Sequence, residues 1–406
     1  MIASKYLILS TIEKTCLNDI GNGYNREFIR NGAKFIDYVE AYSKLGNKKV
    51  NEFILKTIDE DSIEVLIYQA DSTDFHFSLD FFLLLQKKVF VVMMFGDTEY
   101  YFDSREVYYA QCADLVVVYN YSSKYRFEHY GINAISFYSS YDKNKYFKMD
   151  DIKKDIEISF VGRIADYEDR KESLGYVAAN GMPIEVLGQG SKKGEVTLGE
   201  MVGIFNRTKI NINFTGITVK NVLSKRPNID RRLKQMKGRM FEIALCGGFV
   251  LSEYVPGINE VFCTDKEIAV FYTKKDLLEK IKYYLKHDEE RESIAARGYT
   301  RALKDYEIST AIPRLINRID DFKRSKIGIS QEVYVDNRFV KNYTTFRVKM
   351  VVKFIKLRNW RLVYEELVII LKNRRLDLVK AFGIFVFGIF PFLKICYLRV
   401  KDAVKH

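Results

Sequence analysis

The sequence predicts two open, doubly wound α/β sheets in series, followed by a basic, apolar helical extension. Three observations carry that expectation. The chain has 406 residues, more than one ordinary domain holds and enough for two with an addition. From Ile63 onward, short runs rich in Val, Ile and aromatics alternate with helical stretches, and the rhythm restarts at Ile156. Of the net charge of +12, a surplus of eleven falls in Lys341–His406, which holds fifteen Lys/Arg and four Asp/Glu.

The opening residues, MIASKYLILSTIEKT, lack a long apolar core and a small-residue cleavage site, and read as a first strand. LNDIGNGYNREFIRNGAKF reads as a loop and helix. There Gly21 and Gly23 either bring the backbone close to a cleft or form an ordinary Gly/Asn turn. IEVLIYQ, VFVVMMF, ADLVVVYN and AISFYS follow as strands, and then IEISFVGR, IEVLGQG, KININFT, GFVLSEY and IAVFYT. The charged stretch Asp142–Asp155 separates the two series as a linker. The expected division is residues 1–150, residues 151–322, and a helical tail over 323–406. KKDLLEKIKYYLKHDEERESIAARGYTRALKDY reads as two amphipathic helices broken near His287-Asp288, and STAIPRLINRIDDFKR as a third. The five cysteines are scattered without a CxxC pair, which argues against a zinc site or disulfide framework and fits a reducing compartment.

In doubly wound sheets, ligands bind beyond the carboxyl ends of the strands. Arg163, Asp166 and Arg170 follow one strand, Gln189-Gly190-Ser191-Lys192 another, and Thr215-Gly216 a third. Together they offer the amides, hydroxyls and cations that a diphosphate needs. Taken singly, the arginines also read as solvated surface charges. Glu242 opens the apolar stretch FEIALCGG. An ionised carboxylate buried there needs a partner, and neighbouring ribose hydroxyls are suitable donors. A helix-terminal Glu favoured by the dipole is the alternative. Gly247-Gly248 lets the chain turn sharply into FVLSEY.

KGRMFEIALCGGFVLSEYVPGINEVF and the helical pair after it resemble the nucleotide-sugar domain of GT-B glycosyltransferases, most closely the CgeB-like, spore-maturation-type branch. The resemblance implies two Rossmann-like domains, an acceptor half followed by a donor half. It implies that Glu242 holds the ribose, that Arg239 and Arg163 lie near the diphosphate, and that Gly188 and Gln189 lie near the base. Gly247 makes the turn beside them. It implies a UDP- or GDP-linked donor as substrate, no other cofactor and no divalent metal, with cations and a helix N-terminus offsetting the leaving charge. Many retaining relatives carry a further Glu eight positions before this one; here Lys234 stands there. That makes Lys234 and Lys237 candidates for phosphate contacts and leaves the stereochemistry open.

An inverting transfer needs a base on the acceptor side. Asp97, directly after VVMMF, is the first candidate, with Glu99 beside it; an N-cap is the other reading of Asp97. Asp71, Asp74 and His76 form a rival set, and His129 lies within a helical stretch. In the tail, AFGIFVFGIFPF carries no charge but is shorter than the ~20 apolar residues that span a bilayer. Two readings remain: an in-plane or re-entrant anchor on an anionic leaflet, and a helical hairpin packed on the body. The functional expectation is sugar transfer to a lipid-linked or surface glycan by a cytoplasmic protein peripheral to the inner membrane. The alternative is a non-catalytic, membrane-associated binding or scaffold protein on the same fold. A nucleic-acid partner is not expected, because the basic tail is too apolar and no nucleic-acid module is recognisable.

Overall fold

A computed structural model describes residues 5–12, 20–70, 74–138, 140–217, 233–325, 333–373 and 375–394. Six parallel strands make the first sheet: β1 (Tyr6–Ser10), β2 (Lys34–Asp37), β3 (Val65–Gln69), β4 (Phe90–Phe95), β5 (Leu115–Val118) and β6 (Ala134–Ser136), ordered β2-β1-β3-β4-β5-β6. The second sheet holds β7 (Ile156–Val161), β8 (Glu185–Leu187), β9 (Thr208–Asn213), β10 (Val250–Glu253) and β11 (Ala269–Phe271), ordered β11-β10-β9-β7-β8 and also parallel. In its centre Asn211 of β9 pairs with Ser159 on one side and Val250 on the other.

Side-chain alternation builds both faces of the first sheet. Leu7, Leu9, Leu66, Tyr68, Val91 and Met93 point to one face, and Tyr6, Ile8, Val65, Ile67, Val92 and Met94 to the other. The second face is covered by helices Ile20–Arg30 and Ile308–Ser325, whose Ile308, Ile312, Leu315 and Ile319 are buried there. The expected boundary at residue 322 falls inside the second of these helices. The chain returns to its first half at Ile308, because the apolar stripe of that helix fits the open face of the first sheet. Gly23 lies inside helix Ile20–Arg30, where a Cβ would stand 3.2 Å from Ile308. Its smallness serves this helix contact rather than a cleft.

The first part of the tail packs on the body. Helix Asn337–Lys356 buries Phe339, Tyr343, Phe346, Met350, Val351 and Phe354 in the other core of the first sheet. Helix Trp360–Asn373 adds Leu362 and Val363. At Gly46, with φ of +83°, a Cβ would overlap Leu362, so glycine there lets the hairpin dock. Residues 337–373 thus take the hairpin form. Among the described residues, no helix is long and apolar enough to cross a membrane.

Candidate functional site

The site lies where the carboxyl ends of the two sheets meet. On the second sheet, the turns after β7 and β8 lock together through their backbones. Gly162 N donates to Leu187 O at 2.8 Å, and Ile164 N to Gln189 O at 2.9 Å. Gly188, at φ +115°, sits so close that a Cβ would overlap the Gly162 carbonyl. Arg170 ties this pair of turns to the end of β9. It donates to Arg163 O at 2.8 Å and to Gly216 O at 3.3 Å, and stacks on Tyr167 at 3.6 Å. Burial holds its pKa below the usual arginine value. Arg163 is half exposed and pairs with Asp166.

Glu253, at the end of β10, gathers the loop after β9. It accepts from Thr215 N at 2.9 Å, from Gly216 N at 3.1 Å, and from Lys234 at 3.0 Å. Lys234 also forms an antiparallel bridge with Gly216. So the lysine that stands in place of a family glutamate is held by a different carboxylate. The basic run before it, residues 225–232, lies outside the described residues.

Helix Arg239–Leu245 brings Arg239 and Glu242 onto one face, three residues apart. Glu242 is 1% exposed and pairs with Arg239, which keeps 18% of its side chain exposed. Burial pushes the Glu242 carboxyl above its usual range, while Arg239 and the Tyr141 hydroxyl beside it pull it back. The expected carboxylate is thus in the crevice wall but capped by its arginine rather than open to it. Gly247, at φ +70°, ends the same helix at the far end from Arg239, under the Lys148 side chain. Its place here is the turn.

On the first sheet, Asp97 follows β4 and is exposed. It occupies an N-cap position but makes no capping bond. Instead it accepts from Gln235 Nε2 at 2.7 Å, across the crevice. A second cross-crevice bond runs from Met236 N to Asn120 Oδ1 at 3.4 Å. Lys237 is half buried between Asp97 and Arg170; burial pushes its pKa down to about 8, against the pull of Asp97. Glu99 is occupied: it accepts from Asn120 at 3.0 Å, Ser123 at 2.9 Å and Arg126 at 3.1 Å, with 4% of its side chain exposed. It braces the β4 and β5 loops.

The rival set is shut away. Asp74 and His76 lie 3.0 Å apart, almost fully buried, with Tyr38, Tyr42 and Phe346 against the imidazole. The tail hairpin covers them. Asp71 lies outside the described residues. Sequence reasoning missed Gln235, Tyr141 and Glu253. Only Glu253 had a legible signal, a carboxylate at a strand's carboxyl end, the rule that singled out Asp97. Among the described residues, no group of three His, Cys, Asp or Glu side chains is placed to hold a metal.

Two parallel α/β sheets facing each other across such a crevice, with the chain crossing back to the first, make this a GT-B fold. Solved structures agree over most of the chain. A sucrose-phosphate synthase from Thermosynechococcus elongatus gives a TM-score of 0.55 at 8% identity, covering 79% of this chain and 99% of its own. A glycosyltransferase from Rickettsia africae gives 0.56 at 10% identity, covering 79% and 100%. HepE from Anabaena, in complex with UDP-glucose, gives 0.56 at 11% identity, covering 78% and 99%. A family model described as glycosyl transferase-like matches residues 163–317, the greater part of the second sheet with its helices. No curated protein matches the sequence.

Proposed function

We propose that this chain is a glycosyltransferase of the CgeB-like kind, moving a sugar from a UDP- or GDP-linked donor to a lipid-linked or surface-glycan acceptor at the cytoplasmic face of the membrane. The observation that carries the reading is the asymmetry of the crevice. One wall gathers Arg170, Lys237 and Arg239, and the other offers the exposed carboxylate of Asp97, 2.7 Å from Gln235. The solved relative in complex with UDP-glucose supports the donor class.

Lys237 and Arg239 receive the donor diphosphate, with the buried Arg170 adding its charge behind them, and together they offset the charge that grows on it as the glycosidic bond breaks. Arg239 turns toward the diphosphate and frees Glu242, which accepts a ribose hydroxyl. Asp97 takes the proton from the acceptor hydroxyl as its oxygen bonds to the anomeric carbon. Gln235 reports closure, because its bond to Asp97 forms only when the two halves meet. Lys234, spent on Glu253, is the observation that favours a second reading, a non-catalytic binding protein on this fold.

A thermal-shift screen against UDP-, GDP-, ADP- and CMP-linked sugars tests the donor. Binding to the native state raises the melting temperature, and one base is expected to stand out. No shift with any donor counts against both readings. A shift with neither turnover nor slow hydrolysis selects the non-catalytic one.

A further inference from the structure

Two consecutive helices near the C-terminal end turn their large apolar side chains outward. In Trp360–Asn373, the residues Trp360, Tyr364, Leu367 and Leu371 are exposed. Their spacing of four, three and four puts them on one stripe. In Leu378–Ile389, Leu378 and Val379 are 74% and 84% exposed, and Phe382 and Phe385 stand out beside them. Small residues make the closest inner contacts of that helix. Ala381 is buried, and a Cβ on Gly388 would lie 2.6 Å from Val352. Large residues out and small residues in is the reverse of a helix packing on a protein core. Apolar surface of this kind needs a cover.

Cations surround it. Lys356, Arg358, Arg361, Lys372, Arg375 and Lys394 are exposed. The nearby acids are committed: Glu366 is buried, Glu365 pairs with Arg361, and Asp377 caps Lys380 N at 3.1 Å. Beside Leu378 opens a cavity of about 580 Å³, lined by Arg338, Lys341 and Lys380 and by the acids Asp336 and Asp377, the latter 3.8 Å from the Lys380 amine. Asp336 is itself spent as an N-cap, accepting from Arg338 N at 2.8 Å and Phe339 N at 2.9 Å. Net cationic charge is what remains to face a ligand.

We infer that these two helices dock in plane on an anionic phospholipid bilayer, with the cavity of Arg338, Lys341 and Lys380 receiving a headgroup phosphate. Outward Trp, Phe and Leu side chains enter the acyl boundary while the surrounding Lys and Arg sit at headgroup level. A second copy of the chain fits worse, since a two-fold contact sets the cationic rim against itself. Helices Asn337–Lys356 and Trp360–Asn373 belong to the core of the first sheet. Docking there holds the first half at the bilayer surface, where a lipid-borne acceptor resides. The inference rests on the proposed function for that purpose, not for the docking itself.

Trp360 is the only tryptophan in the chain, so its emission reports on the face directly. The full chain is mixed with phosphatidylcholine vesicles, with and without phosphatidylglycerol, and emission and co-flotation are read. With phosphatidylglycerol the emission shifts to the blue and the protein floats; high salt weakens both. A Val379→Ser, Phe382→Ser double variant loses at least about tenfold in partitioning. An Arg338→Glu, Lys341→Glu double variant, at exposed positions, loses the preference for phosphatidylglycerol while its melting temperature holds. No shift with either vesicle overturns the inference, and so does equal binding to both. A shift that grows with protein concentration in the absence of lipid assigns the face to a second copy and overturns it as well. Donor binding measured without lipid is unchanged by these variants. Its absence in the unaltered chain counts against sugar transfer alone, so the two ideas fail separately.

Discussion

The two halves of the crevice treat their strand ends in opposite ways. At the first sheet, large side chains close the region after β2 and β3. Tyr38, Asp74 and His76 pack beneath Tyr42, Arg347 and Glu366, and the tail hairpin seals them. At the second sheet, Gly162, Gly188 and Gly190 keep the turns thin, and polar groups stay at the surface. Each half holds an Arg–Glu pair, and the contrast between them is instructive. Arg347 and Glu366 are both 0% exposed at 3.5 Å. Arg239 keeps part of its surface while its partner Glu242 is buried. A fully sealed pair can only hold structure together. A pair with one exposed member can exchange its partner for a ligand.

The largest expected effect falls on the sealed pair. Arg347→Ala leaves the Glu366 carboxylate buried without its cation and costs about 3–5 kcal/mol in denaturant unfolding. An unchanged midpoint would mean that the hairpin is not held by this pair. Next comes the open pair. Glu242→Ala lowers donor affinity by about 100-fold, ~2.7 kcal/mol, in calorimetry, with a far smaller change in melting temperature than Arg347→Ala produces. Equal stability losses from the two variants would erase the distinction.

Gly188→Ala ranks third. At φ +115°, with the Gly162 carbonyl in the way, the added methyl costs about 1–3 kcal/mol of stability and splays the two turns apart. If the variant melts like the parent, the turns are not locked as described.

The smallest effect is a pH dependence of roughly tenfold in donor affinity, centred on Lys237. Burial pushes its pKa in the folded chain down to about 8, below the ~10.4 of a free lysine. As pH rises through 8 the folded form gives up a proton that the unfolded chain keeps until higher pH. Lys237's contribution to stability therefore grows between those values. Donor affinity moves the opposite way, because the diphosphate needs the charged amine. Calorimetry across pH 7 to 9 (an interval spanning about one unit either side of that pKa), with Lys237→Arg as control, reads the two trends; parallel trends would remove Lys237 from the donor wall.

The strands were legible wherever apolar residues run together, as in FVVMMF and LVVV. β2 was not, because KFID is a short edge strand with an exposed lysine and only one buried residue. In the long helix at Asn337–Lys356, Lys349, Lys353 and Lys356 interrupt the apolar residues, which leaves both a membrane anchor and a packed hairpin open to the sequence. Its apolar stripe is real, but a stripe does not say whether protein or lipid covers it. The candidate site divides in the same manner. Asp97 and Glu242 stand out by their place in local patterns. Gln235 does not, since nothing near it in the chain marks it as the partner of Asp97.

By itself, the sequence determined the alternation of strands and helices, the glycine turns and the uneven charge, because each follows from residues within a turn or two of one another. Tertiary structure alone decided that Asp97 meets Gln235, 138 positions away, that Arg239 covers Glu242, and that the tail's first two helices close one half of the crevice. Those outcomes depend on which apolar faces are left uncovered once both sheets have formed. Burial, unlike periodicity, is a property of the whole chain.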